Sequence, residues 1–144
     1  MKRKNNFIKI IVAIAVVLLG FIGFYFYQMN NFTGGIVSAR FEVFPEGTEV
    51  GPNSVGMITD SFGFGNVVGV SGESDVSKEV VLTYKVFDSD GNLFESEWRG
   101  DKIKIREGGF GFCCINVPQT SGEYTLKLFL NNRESKRVTF KVFS

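Results

Sequence analysis

The sequence contains no histidine, and its only two cysteines are adjacent, at Cys113 and Cys114. Without histidine the chain lacks the usual general base near neutral pH and the commonest ligand of transition metals. Neither a Ser-His-Asp nor a Cys-His nucleophile can be assembled from these residues. Two neighbouring cysteines also provide no disulfide framework. We therefore predict that the protein is not an enzyme and that it holds no metal or cofactor.

Basic residues are scarce outside the N-terminus. Four of the 16 lysines and arginines stand at positions 2, 3, 4 and 9, which leaves 12 basic against 15 acidic side chains. A mildly acidic domain without a basic stripe binds nucleic acid poorly, because neutralisation of phosphates dominates that affinity. We expect no nucleic-acid partner, and no motif points to a small-molecule substrate.

One long apolar run is present near the N-terminus. Residues 7–27 read FIKIIVAIAVVLLGFIGFYFY, with Lys9 as the only charge. At a rise of about 1.5 Å per residue, the uncharged residues 10–27 span about 27 Å as a helix. That length matches the hydrocarbon core of a bilayer, and the aromatic residues 24–27 are typical of its interface. We predict a transmembrane helix over residues 7–27, with the lipid bilayer as its partner.

The basic residues on either side of this run predict its orientation. Lys2, Arg3 and Lys4 precede it, whereas Arg40 is the first basic residue after it. The positive-inside rule therefore places residues 1–6 in the cytoplasm and the C-terminal domain outside, in a single-pass protein of the cell membrane. The alternative is a cleaved secretory signal, but apolar regions of signals are only about 7–15 residues long. We favour the uncleaved anchor.

Beyond the helix, the pattern changes to that of a β protein. Residues 28–35, QMNNFTGG, are polar and end in two glycines, which predicts a short juxtamembrane linker. Apolar and polar residues then alternate, as in EVVLTYKVF at 79–87 and LFESEW at 93–98. Turn signals recur every 8–12 residues, and no helical periodicity is present. Residues 36–144 are therefore predicted to form an all-β domain of seven to eight short antiparallel strands.

Three short segments of the sequence resemble a known fold family. Residues 121–126, SGEYTL, resemble the entry to the penultimate strand of immunoglobulin-like domains, where a tyrosine forms the tyrosine corner. The hairpin YKVFDSDGNLF and the closing VTFKVFS are similar to immunoglobulin-like domains of bacterial and archaeal cell-surface proteins. The resemblance implies an immunoglobulin-like antiparallel β-sandwich over residues 36–144. Leu126 stands where antibody domains have their second cysteine, so the resemblance supports a fold and not a ligand.

Two features that could carry chemistry have plainer explanations. Asp88, Asp90 and Asn92 have the alternating spacing of a calcium loop, but the glycine and glutamate positions of an EF-hand do not match, and a hairpin turn accounts for all three. Cys113 and Cys114 are neighbours in a predicted strand and are expected to point to opposite faces. One of them then packs as a small apolar side chain. A redox role, lipidation or an intermolecular disulfide stays open.

Three phenylalanines are the candidate partner-binding residues. Phe87, Phe129 and Phe143 are out of phase with the main apolar set of their strands, so their rings are predicted to point away from the core. Exposed together, they would form a patch on the domain surface.

Two functional hypotheses remain. The first is a non-enzymatic, membrane-anchored binding or assembly module whose β domain contacts another envelope or surface protein. The alternative is an accessory single-pass subunit of a membrane transport, secretion or appendage complex, in which the helix makes the main contacts. Gly20 and Gly23 would allow a close neighbour there, although their spacing is not GxxxG.

Overall fold

The computed structural model describes residues 2–96 and 102–144. They divide into two compact units, with the boundary between Phe32 and Thr33. The first unit consists of one helix, and the second of β-strands and their connections.

Helix α1 covers Lys2–Asn30. Its stretch Asn6–Gln28 has a mean hydropathy of 2.8 and is long and apolar enough to cross a membrane, and none of its side chains is buried. The helix also takes in the predicted cytoplasmic segment from residue 2 and the first three residues of the predicted linker. It extends beyond the apolar run because the flanking polar residues contain no proline or glycine to stop it.

The described part of the second unit contains ten strands, rather than seven or eight. The additional strands are short, and two of them come from the glycine-rich stretch near residue 60. The predicted strand over residues 93–98 is described only as far as Ser96, and Trp98 lies outside the described residues. The strands are β1 Ile36–Phe44, β2 Met57–Ile58, β3 Ser61–Gly63, β4 Val67–Ser74, β5 Val80–Asp88, β6 Leu93–Ser96, β7 Ile103–Ile105, β8 Gly108–Ile115, β9 Gly122–Leu130 and β10 Arg133–Phe143.

These strands form two sheets. The first sheet has the order β2-β1-β4-β8, and the second has the order β3-β10-β9-β5-β6, with β7 also paired to β5. All pairs are antiparallel except β3 with β10, which is parallel. The fully antiparallel arrangement predicted from the sequence is therefore wrong at this one edge, where β3 returns beside a strand about 80 residues away in the chain.

The core lies between the inner faces of the two sheets. The predicted alternation holds well in β5 and β9, where Leu82, Val86, Leu126 and Leu128 are all buried. Aromatic rings join the sheets as well: the centroid of Phe41 in the first sheet lies 5.7 Å from Phe62 and 5.1 Å from Phe140 in the second. Tyr84 of the second sheet also stacks on Phe112 of the first, with the two ring centroids 5.3 Å apart. Each fully buried ring contributes roughly 1.5–3 kcal/mol.

A tyrosine closes the turn that leads into β9. The hydroxyl of Tyr124 donates to the carbonyl oxygen of Thr120 at 2.9 Å, and its ring stacks on Phe140 at 5.6 Å. This is the hydrogen bond that the motif SGEYTL predicts. It fixes the turn to the core through one side chain.

The predicted linker is ordered in its last three residues. The carboxylate of Asp75 accepts a hydrogen bond from the Gly35 amide at 2.7 Å, and the amide of Asp75 donates to the Gly35 carbonyl at 3.1 Å. Thr33 and Ser77 form a similar reciprocal pair, at 3.0 Å in both directions. Gly34 has a φ of +83°, and a Cβ at this position would collide with the carbonyl oxygen of Asp75. Residues 33–35 are therefore part of the β domain and not a free linker.

The strand directions give the domain two ends. We call the end that contains residues 33–35, 75–79, 102–107 and 131–137 the entry end, because the chain enters the domain there. We call the end that contains residues 45–66, 88–92, 116–123 and 141–144 the far end. Strands β1, β5, β8 and β10 run from the entry end to the far end, and β4 and β9 run back.

Candidate functional site

Phe87 and Phe129 lie on the outer face of the second sheet, as their phase predicts. Lys85 of β5 pairs directly with Lys127 of β9, and the two phenylalanines flank this pair on opposite diagonals. The ammonium of Lys127 lies 4.4 Å from the centroid of Phe87, and that of Lys85 lies 5.4 Å from the centroid of Phe129. Like charges directly opposite each other on neighbouring strands repel. Each cation–π contact at an exposed site contributes about 0.5–1 kcal/mol, which offsets part of the repulsion between the two lysines. Both rings are half-buried and already covered by a lysine side chain.

Phe143 is separate from the other two rings. It lies near the end of β10, beside Gly63 of the edge strand β3, and 53% of its surface is exposed. In the sheet, Phe87 shares its row with Thr125 and Thr139. Phe143 is four residues beyond Thr139 in β10, which places it about 13 Å further along the strand than this row, at the usual rise per residue. The structure therefore does not bring the three predicted residues into one patch.

The exposed apolar side chains of the β domain concentrate at the far end. Seven large apolar residues are strongly exposed in its described part, and four of them lie there: Val55, Met57, Ile58 and Phe143. Of the other three, Leu93 and Phe94 lie in β6 and Val37 lies in β1. Val55 is 92% exposed and Met57 67%. A domain with an adequate core has no internal need for such a concentration, which is typical of contact surfaces.

Four of these residues line the same edge of the molecule. Strand β2 is the edge of the first sheet and β3 the edge of the second, and only residues 59 and 60 separate them. The carbonyl oxygen of Asp60 accepts a hydrogen bond from the Lys141 amide at 2.7 Å, which holds this connection against β10. We call Val55, Met57, Ile58 and Phe143 the far-end patch. Leu93 and Phe94 lie on β6, at the opposite edge of the second sheet.

Sequence reasoning selected Phe143 but missed the other three members of the patch. Val55 stands in a loop, and β2 is only two residues long, so neither has a strand period. A charge signal was nevertheless available. Residues 41–77 contain six acidic side chains and no lysine or arginine. An acidic stretch that is interrupted by exposed apolar residues could have identified this side of the domain as a candidate contact surface.

Charged residues also distinguish the two ends. Residues 45–66 and 88–92 of the far end carry five carboxylates and no basic side chain, whereas the entry-end segments carry seven basic and four acidic side chains. The ion pairs of the described chain all lie at the entry end, where Glu79 contacts Lys104 at 3.4 Å and Arg106 at 2.8 Å, and Glu134 contacts Arg137. The hydrogen bond from Arg106 is the main cause that lowers the pKa of Glu79.

A half-buried carboxylate joins the two sheets near the far end. Glu95 of β6 accepts hydrogen bonds from the backbone amide of Asn116 at 3.1 Å and from its side-chain amide at 2.7 Å. The hydroxyl of Tyr84 lies 3.4 Å away. Burial raises the pKa of Glu95, although these donors oppose the shift. Because the donors hold the carboxylate in a bridge between the sheets, we assign Glu95 a structural role.

The carboxylate of Asp88 is used by the turn that it begins. It accepts hydrogen bonds from the amides of Asp90 at 3.0 Å and Asn92 at 2.8 Å, and from the Asn92 side chain at 3.1 Å. The Asn92 side chain is the largest of the causes that lower the pKa of Asp88. The turn prediction is confirmed. No group of three or more His, Cys, Asp or Glu that could hold a metal ion is found among the residues that the structure describes.

Cys113 and Cys114 form a disulfide with each other, and both are exposed. The expectation that they point to opposite faces is therefore wrong. Gly69 of β4 pairs with Cys113, and Val68 pairs with Ile115, so Cys114 is the unpaired residue of a bulge. A bulge interrupts the alternation of side chains along a strand, which explains the failure of the period-two argument here.

A shallow groove of about 350 Å³ lies on the first sheet, lined in part by Arg40, Ser71, Gly109 and Gly111. The Arg40 guanidinium donates to Ser71 at 3.3 Å, and the Ser71 hydroxyl donates to Glu42 at 2.6 Å. Arg40, Ser71 and Glu42 therefore bind one another along this groove.

Comparison with known proteins identifies no family. The chain matches no protein-family model and no curated protein sequence. Among solved structures, it is similar to the Pseudomonas fluorescens alkylpurine DNA glycosylase AlkC bound to DNA containing an abasic site analog, with a TM-score of 0.38 and 10% identity. That match covers 74% of this chain and 30% of the glycosylase chain. At this level, the similarity carries no argument about fold or function.

Proposed function

We propose that the protein is a non-enzymatic, membrane-anchored binding or assembly module, and that its far-end patch contacts another envelope or surface protein. The observation that carries this proposal is the location of four of the seven strongly exposed apolar side chains of the described β domain at its far end. Apolar side chains exposed together at one end favour association with a partner.

In this proposal, α1 is an uncleaved anchor. The basic residues Lys2, Arg3 and Lys4 lie on the cytoplasmic side, and the β domain lies outside the cell membrane. The length of the apolar stretch Asn6–Gln28 supports an anchor over a cleaved signal. We further propose that the domain is an immunoglobulin-like sandwich, which the hydrogen bond of Tyr124 to Thr120 supports.

One observation favours a second candidate function, that of an accessory subunit bound through its helix. Gly20 and Gly23 are small residues three positions apart on the exposed helix α1. Both positions therefore leave room for a neighbouring helix to approach closely.

A pull-down from crosslinked membranes with full-length variants separates the two functions. We expect Met57→Ser combined with Ile58→Ser to lose the partner, because the far-end patch loses its apolar contacts. Gly20→Leu should retain it. Leu93→Ser combined with Phe94→Ser, which removes two exposed apolar side chains at the other edge of the second sheet, is the matched control. Loss of the partner in Gly20→Leu alone would establish the helix as the binding element and refute the far-end proposal.

A further inference from the structure

The far-end patch is surrounded by negative charge. Glu46 and Glu49 lie in the loop that carries Val55, and Asp60 lies two positions after the last residue of β2. All three side chains are exposed. The nearest basic residue in the chain segments around the patch is Lys141, two positions before Phe143.

These carboxylates differ from those of the entry end in their partners. Glu79 and Glu134 are neutralised by arginine and lysine side chains of the same domain. No ion pair within the described ranges involves Glu46, Glu49 or Asp60. Their charge is therefore free to act on an approaching molecule, and it does so over about 10 Å at 0.1 M salt.

We propose that the partner of the far-end patch is a protein surface in which lysine or arginine side chains surround apolar groups. This inference rests on the proposed function and names the chemistry of the partner. An apolar centre with a charged rim is the usual anatomy of a protein interface. Complementary charge at the rim steers association and excludes partners of the same sign.

Charge complementarity also decides between possible occupants. An anionic lipid or polymer would be repelled by Glu46, Glu49 and Asp60. In a two-fold symmetric contact, a second copy would bring its own far end against the first, and like charges would then meet across the interface. A basic protein surface is the occupant for which both the apolar patch and its acidic rim contribute favourably.

Site-specific crosslinking in the membranes of the native host tests this inference. A photoreactive benzoylphenylalanine replaces Met57 in the full-length chain, and the same residue in place of Val37, at the entry end, is the control position. We expect a protein adduct at position 57 and not at 37. The partner peptide in that adduct should be rich in lysine or arginine.

Two matched double variants then test the charge. Glu46→Gln with Glu49→Gln should lower the adduct yield at position 57 at least about threefold at low salt, because rim charges mainly control the association rate. Glu73→Gln with Glu107→Gln removes two exposed carboxylates outside the patch and should leave the yield unchanged. The difference should disappear near 1 M salt, where the screening length is about 3 Å.

The failures of the two proposals are distinguishable. If no protein is crosslinked at position 57, the proposed function itself is wrong. If a protein is crosslinked but its peptide is acidic or uncharged, or if both double variants give the same yield, the function stands and the cationic partner is refuted. An adduct with lipid or with a second copy of the chain refutes it equally.

Discussion

At the entry end of the β domain, charged groups form ion pairs with one another, whereas at the far-end patch apolar side chains and the carboxylates of Glu46, Glu49 and Asp60 are exposed. Glu79 binds Lys104 and Arg106, and Asp75 binds both polar groups of the Gly35 backbone. The far end has turns of similar length, but no ion pair in the described part of the chain involves the carboxylates beside its patch, and Asp60 only accepts a hydrogen bond from the Ser61 hydroxyl at 3.2 Å. The difference indicates that one end is built to close the fold and the other to contact a second molecule. Substitutions at matched positions can break or sharpen this comparison.

The largest effect is expected from two glycines with positive φ. Gly34→Ala forces the left-handed conformation on alanine, which costs roughly 1–2 kcal/mol, and its Cβ collides with Asp75. Disturbing the two Gly35–Asp75 hydrogen bonds adds about 1 kcal/mol for each. We expect a total loss of about 3 kcal/mol in the free energy of unfolding, measured by urea denaturation. Gly47→Ala at the far end, where nothing lies within 4 Å, should lose only the backbone contribution. Equal losses would contradict a tightly closed entry end.

The next effect concerns a side chain that ties a far-end turn to the core. Tyr124→Phe keeps the stacked ring but removes the hydrogen bond to Thr120. The free energy of unfolding should fall by about 1 kcal/mol, because the Thr120 carbonyl loses its partner. Thermal denaturation followed by circular dichroism measures this change. The Tyr124→Phe variant should still capture the partner as the unmodified chain does, since Thr120 lies outside the far-end patch.

A smaller effect is expected on the outer face of the second sheet. Lys127→Met removes the cation–π contact with Phe87 and also the repulsion from Lys85, while an apolar chain still covers the ring. The two changes oppose each other, so the free energy of unfolding should change by less than about 0.5 kcal/mol. Lys141→Met on the same face is the control for loss of one positive charge. A loss of partner binding in Lys127→Met alone would restore Phe87 and Phe129 as the binding residues.

The smallest effect is a difference in pH dependence between the two ends. The lowered pKa of Glu79 means that its contribution to stability is present above its unfolded pKa and is lost as the pH falls through its folded pKa. The raised pKa of Glu95 gives the opposite pH dependence. The contribution of Glu95 to stability is full below its unfolded pKa and is lost as the pH rises through its folded pKa. Carboxyl carbon shifts in an NMR titration should place Glu79 below and Glu95 above the usual glutamate range. The reverse order would exclude the assigned contacts.

Much of the fold follows from local patterns in the sequence. The apolar run predicts α1 because it contains no proline and only one charge, Lys9, and the alternation in β5 and β9 predicts which side chains are buried. The tyrosine motif predicts the contact of Tyr124 with Thr120 because both partners lie within one turn. These features depend on residues that are close in the chain.

The remaining features depend on distant pairing. The bulge that contains Cys113 and Cys114 is defined only by the register of β8 with β4. Cover of Phe87 by Lys127 depends on the register of β5 with β9. The far-end patch likewise forms because β2 and β3 become sheet edges, beside β1 and β10. The alternation of residues within one strand does not show which strands become sheet edges. The lack of basic residues over 41–77 is nevertheless consistent with a contact surface on this side of the domain.

The most direct test of the account compares photocrosslinking at Val55 with photocrosslinking at Val37 in living cells. Both side chains are exposed, but Val55 belongs to the far-end patch and Val37 lies near the entry end. The account predicts a protein adduct at position 55 and none at position 37. An adduct at 37 alone, or equal adducts at both positions, would contradict the assignment of the far end as the contact surface.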